Sequence, residues 1–237
     1  MKKIFRIILK YLLYSILIFF LLSSLTVVAY KYINPPLTPH MLIRVVEGLI
    51  EGDPVWIDKE WADYEEISPR MFRAILSAED ARYMSHNGVD WKAVEESRKY
   101  NERHKGKKKR GASTVTMQTA KNTFLPHSRN YIRKAVEVYF TYLIEFTWGK
   151  KRILEVYANI VEWGPGLYGV EAASQKFFNK SASKLTNREA ALLAAVLPNP
   201  RRWSPDKPTK YINKRVSMIM SRMNHVPIPK ADKKETK

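Results

Sequence analysis

Cysteine is absent from the 237 residues of this chain, which excludes disulfide bonds, thiolate zinc sites and cysteine nucleophiles. Acidic residues are also few, because 23 Asp and Glu stand against 41 Lys and Arg, for a formal net charge of +18. An excess of positive charge predicts an anionic partner. Nucleic acid, anionic lipid and a phosphorylated substrate all satisfy this requirement on charge alone.

The remaining composition is that of a folded protein. Hydrophobic residues make up 45% of the chain and charged residues 27%, which argues against general disorder. The length allows one membrane segment and one domain large enough to bury a core.

The longest stretch without charge lies near the N-terminus. Residues 11–30 contain no charged side chain, and about 20 apolar residues cross a bilayer core as a helix. A signal peptide would have a shorter apolar core and a small-residue cleavage site, which "TVVAYKYINPP" lacks. We therefore expect residues 11–33 to form a single membrane anchor.

The residues before this anchor predict its orientation. Residues 1–10 are basic and carry Lys2, Lys3, Arg6 and Lys10, so the positive-inside rule predicts a cytoplasmic tail. The rest of the chain would then lie outside the cytoplasm, at the plasma (inner) membrane. This orientation argues against nucleic acid and favours anionic lipid or a lipid-linked phosphate.

The remainder divides into three parts. Residues 34–67 begin with the Pro-containing "NPPLTPH" and show no clear long period, so we expect a linker and an irregular lead-in with a short strand. Helical periodicity dominates residues 68–225 and predicts one mainly α-helical domain. The tail, residues 226–237, is expected to be disordered.

Two adjacent acids end an apolar helix in "AILSAEDARYMSHNGVDW". Glu79 continues the apolar stripe of Ile75 and Leu76, whereas Asp80 is rotated off it by about 100°. Burial and the helix dipole both raise the pKa of a carboxyl at Glu79, which suits a general base. We expect Asp80 to turn into the following loop as a structural brace near His86. On spacing alone, two solvated acids at a frayed helix end have equal weight.

A second acid lies on the helical segment "RNYIRKAVEVYFTYLIEF", which is apolar nearly all round. A buried helix with a narrow polar stripe is predicted to line a cleft or a buried network. A structural ion-pair ladder and a catalytic role for Glu137 are equally weighted alternatives here. The polar residues of the stripe are Arg133, Lys134, Glu137, Thr141 and Glu145.

The segment "RGASTVTMQTAKN" predicts a helix start that is suited to an anion. Ser113 or Thr114 can cap the helix, and free N–H groups at a helix N-terminus bind anions. Gln118 and Lys121 share a face one turn further on. An anchored domain with such a helix start and two cleft acids indicates transfer chemistry on a lipid-linked diphosphate.

Four segments together resemble the motifs of the peptidoglycan glycosyltransferases of family 51. "EDARYMSHNGVD" resembles E-D-x-x-F-x-x-H-x-G, and "GASTVTMQ" is similar to G-[GA]-S-T-[IL]-[TS]-x-Q. "RKAVE" resembles R-K-x-x-E, and "KKRILEVYANIVEWG" resembles K-x-x-I-L-E-x-Y-L-N. The motifs occur in the family's order, and the whole chain resembles the monofunctional members with one anchor and one domain. Tyr83, Met117 and Ala158 depart from the pattern, and no matched charged position is changed.

The resemblance implies a role for each matched position. Glu79 would be the catalytic base and Glu137 the second essential acid. Bracing residues near the site would be Asp80, His86, Gly88, Glu155 and Asn159. The diphosphate and sugars would be held by Ser113, Thr114, Gln118, Lys121, Arg129, Arg133, Lys134 and, in the last basic motif, Arg215.

The resemblance also implies a fold and partners. The fold would be a lysozyme-like α-helical domain with a small mobile lobe near the membrane that includes the basic residues 92–110, for which a solvated loop is the alternative interpretation. The partners would be lipid II, the growing lipid-linked glycan chain, membrane phospholipid and other cell-wall synthesis proteins. No covalently bound cofactor and no protein metal site are expected, while Mg²⁺ or Mn²⁺ would accompany the diphosphate.

The expected reaction is the polymerisation of lipid II into β-1,4-linked glycan chains with release of undecaprenyl diphosphate. Two alternatives remain open. A lytic transglycosylase or muramidase also places a Glu after a helix in a lysozyme-like domain, but it needs no diphosphate cradle. A non-enzymatic anchored scaffold would explain the positive charge but not the polar stripe around Glu137.

Overall fold

The computed structural model describes residues 2–105, 109–126 and 130–231. The predicted site residue Arg129 lies outside these described residues, as do residues 232–237 of the predicted disordered tail. The α-helices of the described ranges are α1 (Lys2–Tyr32), α2 (Pro39–Glu51), α3 (Pro69–Glu79), α4 (Trp91–Arg103), α5 (Val115–Phe124), α6 (Tyr131–Ile160), α7 (Val170–Phe178), α8 (Asn187–Val196) and α9 (Lys210–Met223). The strands there are β1 (Asp58–Lys59), β2 (Glu162–Gly164) and β3 (Leu167–Tyr168). The prediction of a mainly α-helical protein is confirmed.

Helix α1 covers the predicted anchor. Its 31 residues have a mean hydropathy of 2.4 over the most apolar window, so by length and composition it could cross a membrane. The basic residues expected as a tail belong to the same helix. The end of α1 contacts α6, where Trp148 Nε1 donates 2.7 Å to the carbonyl of Val27 and Arg152 Nη2 donates 3.0 Å to that of Tyr30.

The irregular lead-in that we expected over residues 34–67 is wrong for residues 39–51, which form α2. The signals for this helix are local. The Thr38 side chain accepts a hydrogen bond from the Met41 amide, Pro39 occupies the first turn, and Gly52 ends the helix at φ +75°. These residues are a typical N-cap, N1 proline and C-terminal glycine. The helix was not predicted because this segment has no long hydrophobic period.

The short strand expected in the lead-in is β1. It pairs in parallel with β3, which pairs antiparallel with β2, so the strand order is β1-β3-β2. This small sheet joins the lead-in to the segment that follows α6.

The core is built around α3, which packs against α8 and α9. Ser68 caps α3 through the Arg70 amide, and Pro69 occupies its first turn. The apolar stripe of α3 is at most 1% exposed; it consists of Met71, Phe72, Ile75 and Leu76. Because the last turn of α3 rests on this core, Glu79 emerges from its buried side.

The second packing unit is α5 against α6. Helix α6 is interrupted at Gly149, whose φ of +71° and ψ of 166° are not helical. Glycine adopts a positive φ without the steric cost that other residues meet. The part before Gly149 carries the polar stripe of Glu137, and the part after it is almost entirely buried.

Candidate active site

Two pockets meet at a contact between α3 and α5. One, of about 310 Å³, is lined by Glu79, Arg82 and the segment 110–114, among others. The other, of about 280 Å³, is lined by Gln118 and Lys121 together with residues from α2 and from the segment after α8. Both are open to solvent, so the Glu79–Gln118 contact lies where a long substrate could pass from one pocket to the other.

Glu79 is the last residue of α3, and its Oε2 accepts a 2.9 Å hydrogen bond from Gln118 Nε2. Burial raises the pKa of Glu79 above its ordinary value, and the negative charge of Asp80 adds to this. The Gln118 bond and the positive charges of Arg215 and Lys121 oppose the rise in pKa without cancelling it. Such a carboxyl can exchange a proton closer to neutral pH than an exposed glutamate.

Asp80 has different partners from Glu79. It is buried, and its carboxylate accepts hydrogen bonds from His86 Nε2 at 3.1 Å and from the Val115 amide at 3.0 Å. Arg82, two residues further along the same loop, pairs with Asp90 at 2.6 Å instead of with Asp80. Asp80 therefore joins the loop after α3 to the first turn of α5.

The start of α5 is capped by Thr114 rather than by Ser113. Thr114 Oγ1 accepts from the Met117 amide at 3.1 Å and donates to the Gly88 carbonyl at 2.5 Å. Gly88 has φ +85°, and a Cβ there would lie 2.9 Å from Thr141 Cγ2. Ser113 is exposed and lines the first pocket. The two adjacent hydroxyls therefore have different surroundings.

Glu137 is 2% exposed and binds two cations. Its Oε2 accepts from Arg133 Nη1 and its Oε1 from Lys134 Nζ, each at 2.5 Å. Further along the same stripe, Glu145 pairs with Lys150 at 2.7 Å. These are the ion pairs that a ladder predicts. They also place the positive charges of Arg133 and Lys134 on one side of α6, which we call the cationic wall.

Lys121 connects the two acids electrostatically. Burial lowers the pKa of Lys121, and the positive charges of Arg133 and Lys134 lower it further, while Glu137 and Glu79 act in the opposite direction. The Nε of Arg133 is buried and has no hydrogen-bond partner among the described residues. With Lys121, the cationic wall therefore holds three cations, and one of its donors has no partner among the described residues.

Arg215 comes from α9, the most distant of the predicted cations in sequence. Its Nε donates 3.2 Å to the Ala195 carbonyl, which fixes the guanidinium beside α8. The positive charge of Arg215 favours the ionised form of Glu79 and so opposes the rise of its pKa. Helix packing therefore brings this predicted residue to the base.

Glu155 and Asn159 hold other parts of the structure. Glu155 pairs with Arg152 at 2.5 Å, the residue that contacts the end of α1. The Asn159 side chain is fully buried and bonds both the amide and the carbonyl of Ala62, at 2.9 and 2.8 Å. Arg152 in turn contacts α1, and Ala62 lies in the lead-in.

Two residues near the site were not singled out from the sequence. Tyr157 donates 3.2 Å from its hydroxyl to Gln118 Oε1, and His40 of α2 lines the second pocket. The available signal for Tyr157 was its match to the tyrosine of the motif K-x-x-I-L-E-x-Y-L-N. His40 gave no usable signal, because α2 itself was not predicted.

The described residues do not offer a metal site. They contain no group of three or more His, Asp or Glu side chains that could hold a metal ion. Both oxygens of Glu137 are engaged by Arg133 and Lys134. The Mg²⁺ or Mn²⁺ expected at the diphosphate would therefore depend on the substrate's own oxygens.

Comparison with known proteins gives a consistent picture. Residues 49–224 match the family model described as Transglycosylase. The chain is 50% identical over 222 residues to the biosynthetic peptidoglycan transglycosylase of Bdellovibrio bacteriovorus, covering 94% of this chain and 88% of that protein. It is 50% identical to the protein of the same name from Rhodospirillum centenum, covering 83% and 82%. It is 45% identical to that from Bacteroides thetaiotaomicron, covering 93% and 89%.

Proposed function

This chain belongs to the transglycosylase family of peptidoglycan glycosyltransferases, and we propose that it polymerises lipid II into β-1,4-linked glycan chains with Glu79 as the general base. The observation that carries this assignment is the hydrogen bond between Glu79 and Gln118 at the meeting point of two open pockets. The carboxylate has a raised pKa, a fixed orientation and a cationic wall beside it.

In the proposed reaction, Glu79 accepts the proton of the 4-hydroxyl of the acceptor's N-acetylglucosamine. Gln118 occupies Oε2, which leaves Oε1 for this proton. The acceptor oxygen then attacks C1 of N-acetylmuramic acid at the reducing end of the growing chain. The bond from C1 to the diphosphate oxygen breaks, and the α-linkage becomes β-1,4 with inversion.

The leaving group is undecaprenyl diphosphate. Because its negative charge is already delocalised, it needs charge neutralisation more than protonation. In this proposal Lys121, Arg133 and Lys134 supply that positive charge. In this proposal Glu137 keeps the two cations of α6 in position rather than accepting a proton.

The proposed location is the plasma (inner) membrane, with one span and a cytoplasmic N-terminus. The support is α1, which is apolar enough to cross a bilayer and carries four basic residues in its first nine positions. Phospholipid around this span and other cell-wall synthesis proteins are the further partners that we propose.

The test uses the full-length protein in detergent and lipid II as substrate. We expect Glu79→Gln to lose about 10²- to 10⁴-fold in rate, because the amide cannot accept a proton. Glu137→Gln should also lose activity, because it releases two cations. The exposed Glu51→Gln at the end of α2 is the control and should keep the wild-type rate.

A Glu79→Gln protein that polymerised lipid II at the wild-type rate would refute the assignment. Incubation with finished sacculi separates the lytic alternative, because only a cleaving enzyme would solubilise them. If neither the wild-type nor the Glu137→Gln protein polymerised lipid II, the anchored scaffold would be favoured instead.

A further inference from the structure

Tyr157 is fully buried in the second part of α6, one layer behind the proposed base. Its hydroxyl makes one hydrogen bond among the described residues, the 3.2 Å bond to Gln118 Oε1. Gln118 in turn donates from Nε2 to Glu79 at 2.9 Å. A chain of two hydrogen bonds therefore joins the core of the protein to the carboxylate.

The chemistry of these groups determines the direction of both bonds. An ionised carboxylate only accepts hydrogen bonds, so the NH₂ group of Gln118 must face Glu79. The amide oxygen then faces Tyr157, whose hydroxyl donates to it. If the amide were turned over, its oxygen would face the carboxylate and the buried Tyr157 proton would have no acceptor, which is costly.

We propose that Tyr157 is a positioning residue for the transfer reaction, because its hydroxyl holds the Gln118 amide in the orientation that favours and aligns the ionised form of Glu79. The proposal rests on the proposed function of Glu79. Tyr157 does not touch the substrate pockets, so it acts only through Gln118.

The other groups that act on Glu79 come from separate elements. Asp80 follows it in the chain, Lys121 comes from α5 and Arg215 from α9. Tyr157 itself stays neutral, because burial raises the pKa of its hydroxyl well above the ordinary value. Its contribution is therefore the hydrogen bond, and removing the oxygen changes no charge.

The test is Tyr157→Phe in the full-length protein, assayed as kcat and KM for lipid II against pH. Without the tyrosine hydroxyl the turned-over amide is no longer penalised, and its oxygen can accept a hydrogen bond from protonated Glu79, so the pKa of Glu79 should rise. A neutral hydrogen bond of this kind predicts a rise of about 0.5–1 pH unit in the acidic limb of the profile. At pH values below this limb, kcat of the variant should be about 3- to 10-fold lower than that of the wild-type protein. The rate should recover at higher pH, with KM unchanged.

Tyr168→Phe is the matched control. Tyr168 is also fully buried, and its hydroxyl has no hydrogen-bond partner in the part of the chain that the structure describes. This variant should keep the wild-type pH profile. The two Phe variants should unfold within a few degrees of each other.

Gln118→Ala tests the same chain of bonds from its other end. It should move the acidic limb in the same direction, and adding Tyr157→Phe to it should cause no further shift, because the two residues act as one unit. Additive shifts would overturn the proposal, as would a loss in Tyr157→Phe that is equal at every pH.

Glu79→Gln is measured in the same series. If it is inactive while Tyr157→Phe retains the wild-type profile, only the role of Tyr157 fails. If Glu79→Gln is active, the proposed base fails and the role of Tyr157 fails with it.

Discussion

At the scale of single residues, the neighbouring acids Glu79 and Asp80 show how one step along a helix end separates two environments. Glu79 meets a side-chain amide donor and an open cleft. Asp80 meets His86 and a backbone amide in a buried position. Neither acid is solvated at a frayed end. The different donors explain why one carboxylate can change its protonation while the other ties two elements together.

Gly88 is a residue near the site at which a small change should be costly. A side chain there would need a positive φ and would place Cβ 2.9 Å from Thr141 Cγ2. We expect Gly88→Ala to destabilise the protein by about 1–3 kcal/mol. Thermal or urea unfolding of the full chain measures this loss.

Gly111→Ala is the control for this prediction, because no atom lies within 4 Å of the position that its Cβ would take. It should unfold close to the wild-type temperature. Equal stability of both variants would show that the close approach at Gly88 relaxes without cost.

At the scale of the element, helix ends carry the site. Glu79 ends α3 and Thr114 caps α5, so both sides of the cleft depend on where a helix stops or starts. Helix α8, which packs against α3, also has a well-defined start. Its capping box joins Thr186 and Glu189.

We expect Thr186→Ala to cost about 1 kcal/mol of unfolding free energy, because it removes the side-chain acceptor for the Glu189 amide. Denaturant unfolding of the full chain checks this value. Ser217→Ala, whose exposed hydroxyl only contacts a carbonyl of its own helix, is the control and should change stability by less than about 0.5 kcal/mol. A larger loss in the control than in Thr186→Ala would contradict the prediction.

At the scale of the whole molecule, α1 and the catalytic domain are in contact rather than merely tethered. Trp148 and Arg152 of α6 donate to backbone carbonyls in the last turns of α1, and the Ser23 and Tyr139 hydroxyls lie 2.8 Å apart. The anchor therefore ends against the same helix that carries Glu137.

The absence of cysteine makes the proposed topology directly testable, because a single introduced thiol is the only one in the chain. In cells whose outer barrier is opened, a membrane-impermeant thiol reagent should label Ser217→Cys on the exposed face of α9. Lys3→Cys should be labelled only after the plasma membrane is permeabilised, because the positive-inside rule places it in the cytoplasm. The reverse pattern would overturn the proposed orientation.

Much of the architecture could be predicted from sequence because its causes are local. The anchor follows from an uncharged run of bilayer length, and the phase of α3 separates Glu79 from Asp80 before any contact is known. The missed helix α2 is a failure of the same local method. Its cap, its proline and its terminal glycine were all present, but the method relied on a long apolar period.

The sequence by itself determined the class of fold, the family, the membrane segment and the residues from which the site is drawn. Tertiary structure alone decided which of them meet. Glu79, Gln118 and Tyr157 are each 39 positions from the next, and neither hydrophobic period nor motif spacing encodes a contact across that distance. Only the packing of α3, α5 and α6 places an amide between a buried hydroxyl and a carboxylate. That packing also paired Arg82 with Asp90. It selected Thr114 over Ser113 as the cap, because the Thr114 hydroxyl is buried and must find a partner, whereas Ser113 is exposed.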